Sequence, residues 1–219
     1  MKMGCMKSWL WLLGSALVWC QTGEDVEGVQ RRAREGVADA QYVLGSMYVQ
    51  GRGVARDDAE GARWFRKAAE QGLATAQTWL GAAYSTGQGV SQDYAEAVRW
   101  FRRAADQDDP DGQYLLGSTY YQGWGVPQDY VEAARWYRKA ADQGDRGGQF
   151  ALAVCYFEGN GVPQDYVRAH VWFNLAASRS TGDQQKKYAA AQDGVGQFMT
   201  REQLAEAQRL AREWKPTTK

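Results

Sequence analysis

VADAQYVLGSMYVQGRGVARDDAEGARWFRKAAEQG, residues 37–72, is answered position by position by LATAQTWLGAAYSTGQGVSQDYAEAVRWFRRAADQD, residues 73–108. The same step recurs twice more, so that four copies start at Gly36, Gly72, Asp108 and Gly144 with no insertion between them. Leu44, Leu80, Leu116 and Leu152 fall in one column; Tyr48, Tyr84, Tyr120 and Tyr156 in another; Trp64, Trp100, Trp136 and Trp172 in a third. Gly51 and Gly53 recur as Gly87 and Gly89, Gly123 and Gly125, Gly159 and Gly161. A fixed period of twenty to fifty residues marks a protein built of stacked units, each burying its apolar face against its neighbours.

Each copy reads as two helices. Ala40, Gln41, Leu44, Gly45 and Tyr48 share one face of a first helix. A glycine inside a helix costs about 1 kcal/mol relative to alanine. Gly45 therefore implies close approach of the partner helix, with the Trp64 ring expected in the gap. Gly51 and Gly53 are expected to end the first helix, because a left-handed closing residue is least strained without a Cβ. Asp57 with Glu60, Asp93 with Glu96 and Asp129 with Glu132 predict capping boxes at the start of the second helix. Trp64, Ala68 and Ala69 make its buried stripe. Arg63, Arg66 and Lys67, with their equivalents Arg99, Arg102, Arg103, Arg135, Arg138 and Lys139, line the other side. Glu60 lies three before Arg63 and Arg66 four before Glu70, spacings that pair charges on a solvated face rather than build an anion-binding one.

The fourth copy breaks this pattern. AHVWFNLAAS, residues 169–178, stands where the third has AARWYRKAAD, residues 133–142, so that Arg135, Arg138 and Lys139 become Val171, Asn174 and Leu175. A stack exposes apolar surface only at its ends. Beyond Ser178 two further helical patterns follow, one with Tyr188, Ala191, Val195 and Phe198 on a face, the other with Leu204, Ala207, Ala211 and Trp214 behind a Thr200–Gln203 capping box. Val171 and Leu175 are expected beneath this tail. Val26, Val29 and Ala33 read as a half-unit covering the first copy. The expected organisation is a capping helix over 21–35, repeats over 36–71, 72–107, 108–143 and 144–179, and capping helices over 180–219.

Residues 1–20 are set apart. Lys2 and Lys7 precede an apolar run from Trp9 to Trp19, followed by Gln21-Thr22-Gly23-Glu24, the pattern of a secretory signal peptide and too short for a membrane span. Periplasmic or secreted localisation is expected. Membrane association would require acylation of Cys20, where Trp19 occupies a position that favours a small residue. Removing the segment takes Lys2 and Lys7 from 26 basic residues and nothing from 26 acidic ones, leaving a net charge of −2. Such a balance disfavours nucleic acid as a partner. Cys5 and Cys20 leave with it, and Cys155 alone forms no internal disulfide.

The pattern AxxLGxxYxxGxGVxxDxxxAxxWxxxAAxxG, legible over residues 37–72 and in the copies from Leu73 and Asp109, resembles the Sel-1-like repeat, a relative of the tetratricopeptide repeat. The fourth copy departs from it with Gly148 for the first Ala and Ala153 for the Gly of LG. The resemblance implies an all-α fold, an α/α solenoid wound as a right-handed superhelix whose concave side binds other proteins. It implies an adaptor or scaffold, with a periplasmic immunity protein against a toxic effector as the alternative. A β-lactamase-like hydrolase is a third reading, suggested by cysteine-rich relatives whose paired cysteines this chain lacks.

Catalytic chemistry finds little to stand on. His170, the single histidine, occupies the column of Ala62, Val98 and Ala134 beside the buried stripe, which suits packing. One His and one Cys cannot make a structural zinc site. Cys155 replaces Met47, Ala83 and Thr119 and reads as a small buried hydrophobe. The GxGV turns follow helices, whereas a dinucleotide loop follows a strand. In DDPDG, residues 108–112, the loop is too short for calcium and Pro110 suits a first helical turn. No cofactor and no enzyme activity are expected. A protein partner is expected to meet first-helix positions where the copies disagree. The candidates are Tyr42, Trp79, Tyr114, Tyr121, Trp124 and Phe150, with Trp79 foremost because its column otherwise holds Val43, Leu115 and Ala151. Aromatic rings are enriched in interface hot spots, and equally in the padding between repeats.

Overall fold

The computed structural model describes residues 25–217. The segment read as a signal peptide, Cys20 included, lies outside the described residues. Among them every regular element is an α-helix: α1 (Val26–Arg34), α2 (Ala38–Gln50), α3 (Asp58–Glu70), α4 (Ala74–Thr86), α5 (Tyr94–Asp106), α6 (Pro110–Gln122), α7 (Tyr130–Asp142), α8 (Arg146–Glu158), α9 (Tyr166–Ser178), α10 (Gly182–Gly196) and α11 (Arg201–Glu213). The chain divides between Gln107 and Asp108 into two compact units. The first holds α1–α5 and the second α6–α11.

Helix boundaries follow from local chemistry. The second helix of each repeat opens on an aspartate whose carboxylate accepts from a backbone N–H of the first turn: Asp57 from Glu60 at 2.9 Å, Asp93 from Glu96 at 3.0 Å, Asp129 from Glu132 at 3.0 Å and Asp165 from Arg168 at 2.9 Å. The glutamates do not return to the cap as the capping-box reading expects. They reach forward to an arginine one turn on, Glu60 to Arg63 at 2.7 Å, Glu96 to Arg99 at 2.9 Å and Glu132 to Arg135 at 2.9 Å. A full capping box forms at Thr200 and Gln203, where no basic residue three positions on competes for the side chain. Pro110 occupies the first turn of α6 behind the Asp109 cap, as read from DDPDG.

Glycine sets the spacing inside each repeat. A Cβ on Gly45 would lie 2.9 Å from Phe65 Cδ1 and 3.0 Å from the Gly61 carbonyl oxygen. One on Gly81 would lie 2.6 Å from Phe101 Cδ1, and one on Gly117 2.7 Å from Tyr137 Cδ1. The ring in the gap is thus the residue after the tryptophan, not Trp64. The step from Trp64 to Phe65 turns about 100° around the helix and aims Phe65 at the partner axis. The second glycine of the turn has its own task. Gly51 ends α2 at φ 65°, but a Cβ on Gly89 would overlap the Asp58 carbonyl oxygen, and one on Gly161 that of Tyr130. There the turn of one repeat presses on the start of the preceding second helix.

Polar groups tie neighbouring repeats within each unit. Gln41 donates to the Ala33 carbonyl at 3.1 Å and accepts from Gln71 at 2.7 Å; Gln77 does the same with Ala69 at 3.0 Å and Gln107 at 2.8 Å. In the second unit Gln113 accepts from Gln143 at 2.9 Å. Buried amides without partners would cost about 1–3 kcal/mol each, so these pairings enforce the register. The basic residues also have specific partners. Arg66 donates to the Tyr84 hydroxyl and Arg138 to that of Tyr156, each in the following repeat. Lys67, Arg103 and Lys139 cover the Trp64, Trp100 and Trp136 rings at 4.0, 4.6 and 4.3 Å.

The substitutions in the fourth copy follow. Asn174 stands where the arginine would seek a tyrosine of a next repeat, and the period ends there. Val171 and Leu175 are buried with Trp172 in a cluster that includes Val195 and Ala207, against which Leu210, Ala211 and Trp214 pack. Trp214 sits edge-on to Trp172 at 6.0 Å, on the ring that a lysine or arginine covers in the other copies. At the opposite end Val29 and Ala33 of α1 join Ala40, Leu44, Met47 and Trp64 in one core.

Gly81→Ala should lower stability by about 1–3 kcal/mol through overpacking against Phe101, although alanine is the better helix former. Gly194→Ala in α10, with open space around its Cβ position, should instead gain up to about 1 kcal/mol. Leu175→Lys restores the repeat residue under the cap and should cost about 1–3 kcal/mol, with Trp214 becoming more exposed to quenchers. Chemical denaturation followed by tryptophan fluorescence measures all three.

Candidate functional site

The sequence candidates fall into two groups, one in each unit. In the first, Trp79 is 6% exposed, stacks on Phe65 at 5.4 Å and donates its indole N–H to the Tyr42 hydroxyl at 3.1 Å. Tyr42 leans on the same Phe65 ring at 5.6 Å. Trp79 was the foremost expectation for an exposed anchor, and the structure corrects it: the indole pads the contact between the first two repeats. Its aliphatic column is explained by space, since this position faces the preceding repeat.

In the second unit the rings are incompletely buried. Tyr114 and Tyr121 lie on α6 and pack on Tyr137 at 5.9 and 6.3 Å. Tyr121 also meets Tyr130 edge-on at 5.0 Å, donates to the Glu158 carboxylate at 2.7 Å and accepts from the Asn160 amide at 3.1 Å. Burial and the bond to Glu158 push its hydroxyl above the usual tyrosine range. Trp124 is half-buried in the turn after α6. Phe150 of α8 is enclosed by Phe173 at 5.2 Å and Tyr188 at 4.6 Å, which makes it mostly a packing residue between the fourth repeat and α10. The structure thus brings Tyr114 and Tyr121 onto one helix, with Trp124 just beyond its end, and sets Phe150 beneath the cap.

Charge divides between the two helices of a repeat. The first helices α2, α4, α6 and α8 carry Arg146 as their sole basic residue, while the second helices hold the arginines and lysines. Three aspartates stand at the starts of α6 and α8, Asp109 and Asp145 as their caps. Asp109 accepts from Gly112 N at 2.7 Å and Asp145 from Gly148 N at 2.6 Å, while Asp111 lies in the first turn of α6. Burial, then the charge of Asp145, raises the Asp111 carboxyl to about 7; burial raises Asp145 to about 6 against the pull of its bond from Gly148. Asp109 and Asp145 share a column, and Asp111 falls within DDPDG, where spacing shows a helix start and no ligand set. The buried Gln41, Gln77, Gln113, Gln149 column was in plain sight, as a polar residue recurring on a core face.

Among the described residues, the single cysteine and the single histidine are both packed away from solvent. Cys155 is fully buried and its thiol is pushed up to about 12 by that burial, so it is not a nucleophile. His170 is packed between α9 and α10. Among the described residues no three His, Cys, Asp or Glu side chains are grouped to hold a metal ion, and no helix is long and apolar enough to cross a membrane.

Tandem helix–turn–helix units with the same internal geometry define an α/α repeat protein. The Sel1 repeat matches at residues 38–73, 74–109, 110–145 and 147–180, and the chain belongs to the Sel1 repeat family. Its solved likenesses include a protective antigen present in uropathogenic Escherichia coli strains that displays an SLR fold (37% identity, TM-score 0.80, 86% of this chain covered). The match spans 40% of that antigen's length. A Sel1 repeat protein from Oxalobacter formigenes has 31% identity and a TM-score of 0.73, over 88% of this chain and 77% of its own. One from Klebsiella pneumoniae, at 20% identity, TM-score 0.52 and coverage of 83% and 89%, shares the fold alone. No match is found among curated proteins. Sel1 repeat proteins generally mediate protein–protein interaction, and the family is mainly a binding scaffold rather than an enzymatic one.

His170 makes a pH test possible. Its Nε2 lies 3.4 Å from Gln192 Nε2, its Nδ1 is buried without a partner, and burial lowers its pKa while Asp193 pulls it up. A folded-state value below the unfolded one of about 6.5 means the unfolded chain binds more protons as pH falls. Stability from this site is therefore full above that value and lost below it. His170→Val, the residue of the second repeat, should abolish that loss, measured as denaturation midpoints at pH 7.5 and 5 relative to wild type.

Proposed function

We propose that this chain is an exported adaptor that binds a segment of another protein on the first-helix face of its second unit. The observation that carries the reading is the set of incompletely buried aromatic residues Tyr114, Tyr121 and Trp124, at positions where the copies differ while their core columns hold. Core columns keep the repeats stacked, so variation confined to the outer positions is where recognition can be tuned. Aromatic side chains bury large area at low entropic cost and anchor most interface energy. Export is supported by the charge and hydropathy pattern of residues 1–20.

The test begins with affinity capture by protein starting at Gln21 from a periplasmic extract, and continues with titration of each captured partner. A saturable one-to-one complex that Trp124→Ala weakens by about tenfold or more, with helical content unchanged, is the expected result. Undiminished affinity in the folded variant would remove the aromatic face from the reading. A single captured hydrolase whose activity is lost on binding would make the chain an immunity protein.

A further inference from the structure

Asn160 and Asn174 are the asparagines of the chain, and of the two Asn160 is the one followed by glycine. It stands in the turn after α8, between Gly159 at φ 76° and Gly161 at φ 72°. The other repeats carry Arg52, Gln88 and Trp124 at this place. Its side chain bridges the third and fourth repeats. Asn160 Nδ2 donates to the Tyr121 hydroxyl at 3.1 Å and to the Glu158 carboxylate at 2.7 Å, and the Tyr121 hydroxyl donates to that same carboxylate at 2.7 Å. Gly161 is pressed on the start of α7 so closely that a Cβ there would overlap the Tyr130 carbonyl oxygen.

An asparagine amide is an electrophile toward the backbone nitrogen that follows it, which makes asparagine one of the thermolabile residues. The backbone N–H of Asn160 is engaged, donating to the Cys155 carbonyl at 3.0 Å, whereas no described atom accepts from the Gly161 N–H. Glycine has no side chain to shield that nitrogen and leaves the backbone free to turn. Attack here breaks no helical hydrogen bond. Asn174 differs in each respect: it lies inside α9, and the nitrogen after it belongs to Leu175, a buried branched residue held in the helix ladder. The Asp111–Gly112 pair also lies in a helix, with the Gly112 N–H donated to Asp109.

We propose that Asn160 is a site of spontaneous deamidation, and that its conversion unlocks the contact between the third and fourth repeats. The Gly161 nitrogen attacks Cγ of Asn160 and the new N–C bond closes a succinimide ring. The Cγ–Nδ2 bond breaks, and ammonia leaves with the proton of the Gly161 N–H. Water then opens the ring at either carbonyl, giving isoaspartate or aspartate, and no other co-reactant is consumed. Both products lose the donor that joins Tyr121 to Glu158 and set a second carboxylate beside that of Glu158. The isoaspartyl link also inserts a methylene into the backbone ahead of Gly161 and lifts that residue from its seat on α7. The assignment stands without the protein-binding reading; where that reading holds, conversion frees Tyr121, one of the rings it uses.

The folded protein is incubated at mildly alkaline pH and followed by peptide mapping with mass spectrometry. Isoaspartate and aspartate should appear at position 160 at least about tenfold faster than any change at Asn174. The urea-unfolded chain supplies the reference rate for the same peptide. Converted protein should show a lower denaturation midpoint than fresh protein, and Asn160→Asp should reproduce part of that drop without incubation. Asn160→Gln, which places the second repeat's residue in the turn, should hold its midpoint through the same treatment. If Asn160 stays intact in the folded protein while it converts in urea, the turn protects it and the proposal fails. An unchanged midpoint after conversion would overturn the unlocking, and a midpoint that falls in Asn160→Gln as it does in wild type would overturn the assignment to this residue.

Discussion

The close approach of two helices within a repeat, fixed by an aromatic ring seated on a glycine, is the contact on which the other regularities depend. Phe65 on Gly45, Phe101 on Gly81 and Tyr137 on Gly117 leave no room for a methyl group. With that distance set, the tryptophan one position earlier turns outward and needs a cover, which Lys67, Arg103 and Lys139 supply. Placing an aliphatic stem and charge over an indole contributes about 0.5–1 kcal/mol, more than the 0.2–0.5 of the exposed Glu–Arg pairs beside it. The basic stripe is thus shaped first by the rings it covers and only second by the acids it faces. In the fourth repeat Ala153 replaces the glycine and is itself fully buried in the core.

Most of this architecture was legible before any coordinates, because a solenoid repeats its solution and the columns record it. The start and end of helices, the burial of Val171 and Leu175 and the covering role of α1 all follow from a period and from what sits at its ends. Two local assignments went astray for the same reason. Sequence spacing identifies which groups could meet but not which of two competing partners prevails. Glu60 could return to its own cap or reach Arg63, and the ion pair prevailed; either of two adjacent rings could fill the space above Gly45, and helical phase chose Phe65.

The functional face was less legible. Trp79 stands out in its column, yet a large ring in a variable column is also what a gap between repeats demands, and the Tyr42 hydroxyl on its indole nitrogen shows that demand being met. The unpaired Tyr188 hydroxyl could not be read from the sequence, since α10 lies outside the period.

The amide column closes Gln41 on Gln71, Gln77 on Gln107 and Gln113 on Gln143, while Gln149 Oε1 and the Tyr188 hydroxyl near the cap are buried without a partner, as are Trp64 Nε1 and Trp136 Nε1 further back. Ending a periodic stack forces some mismatch, because the residue that would complete each pair belongs to a repeat that is not there. For Gln149 the column partner has become Arg179, whose guanidinium turns to Trp214 at 4.8 Å and whose carbonyl takes the Arg146 side chain. Arg146 thus reaches across to the cap while its charge still favours the ionised carboxyls of Asp111 and Asp145, so the end of the stack is closed by a side chain that serves both sides.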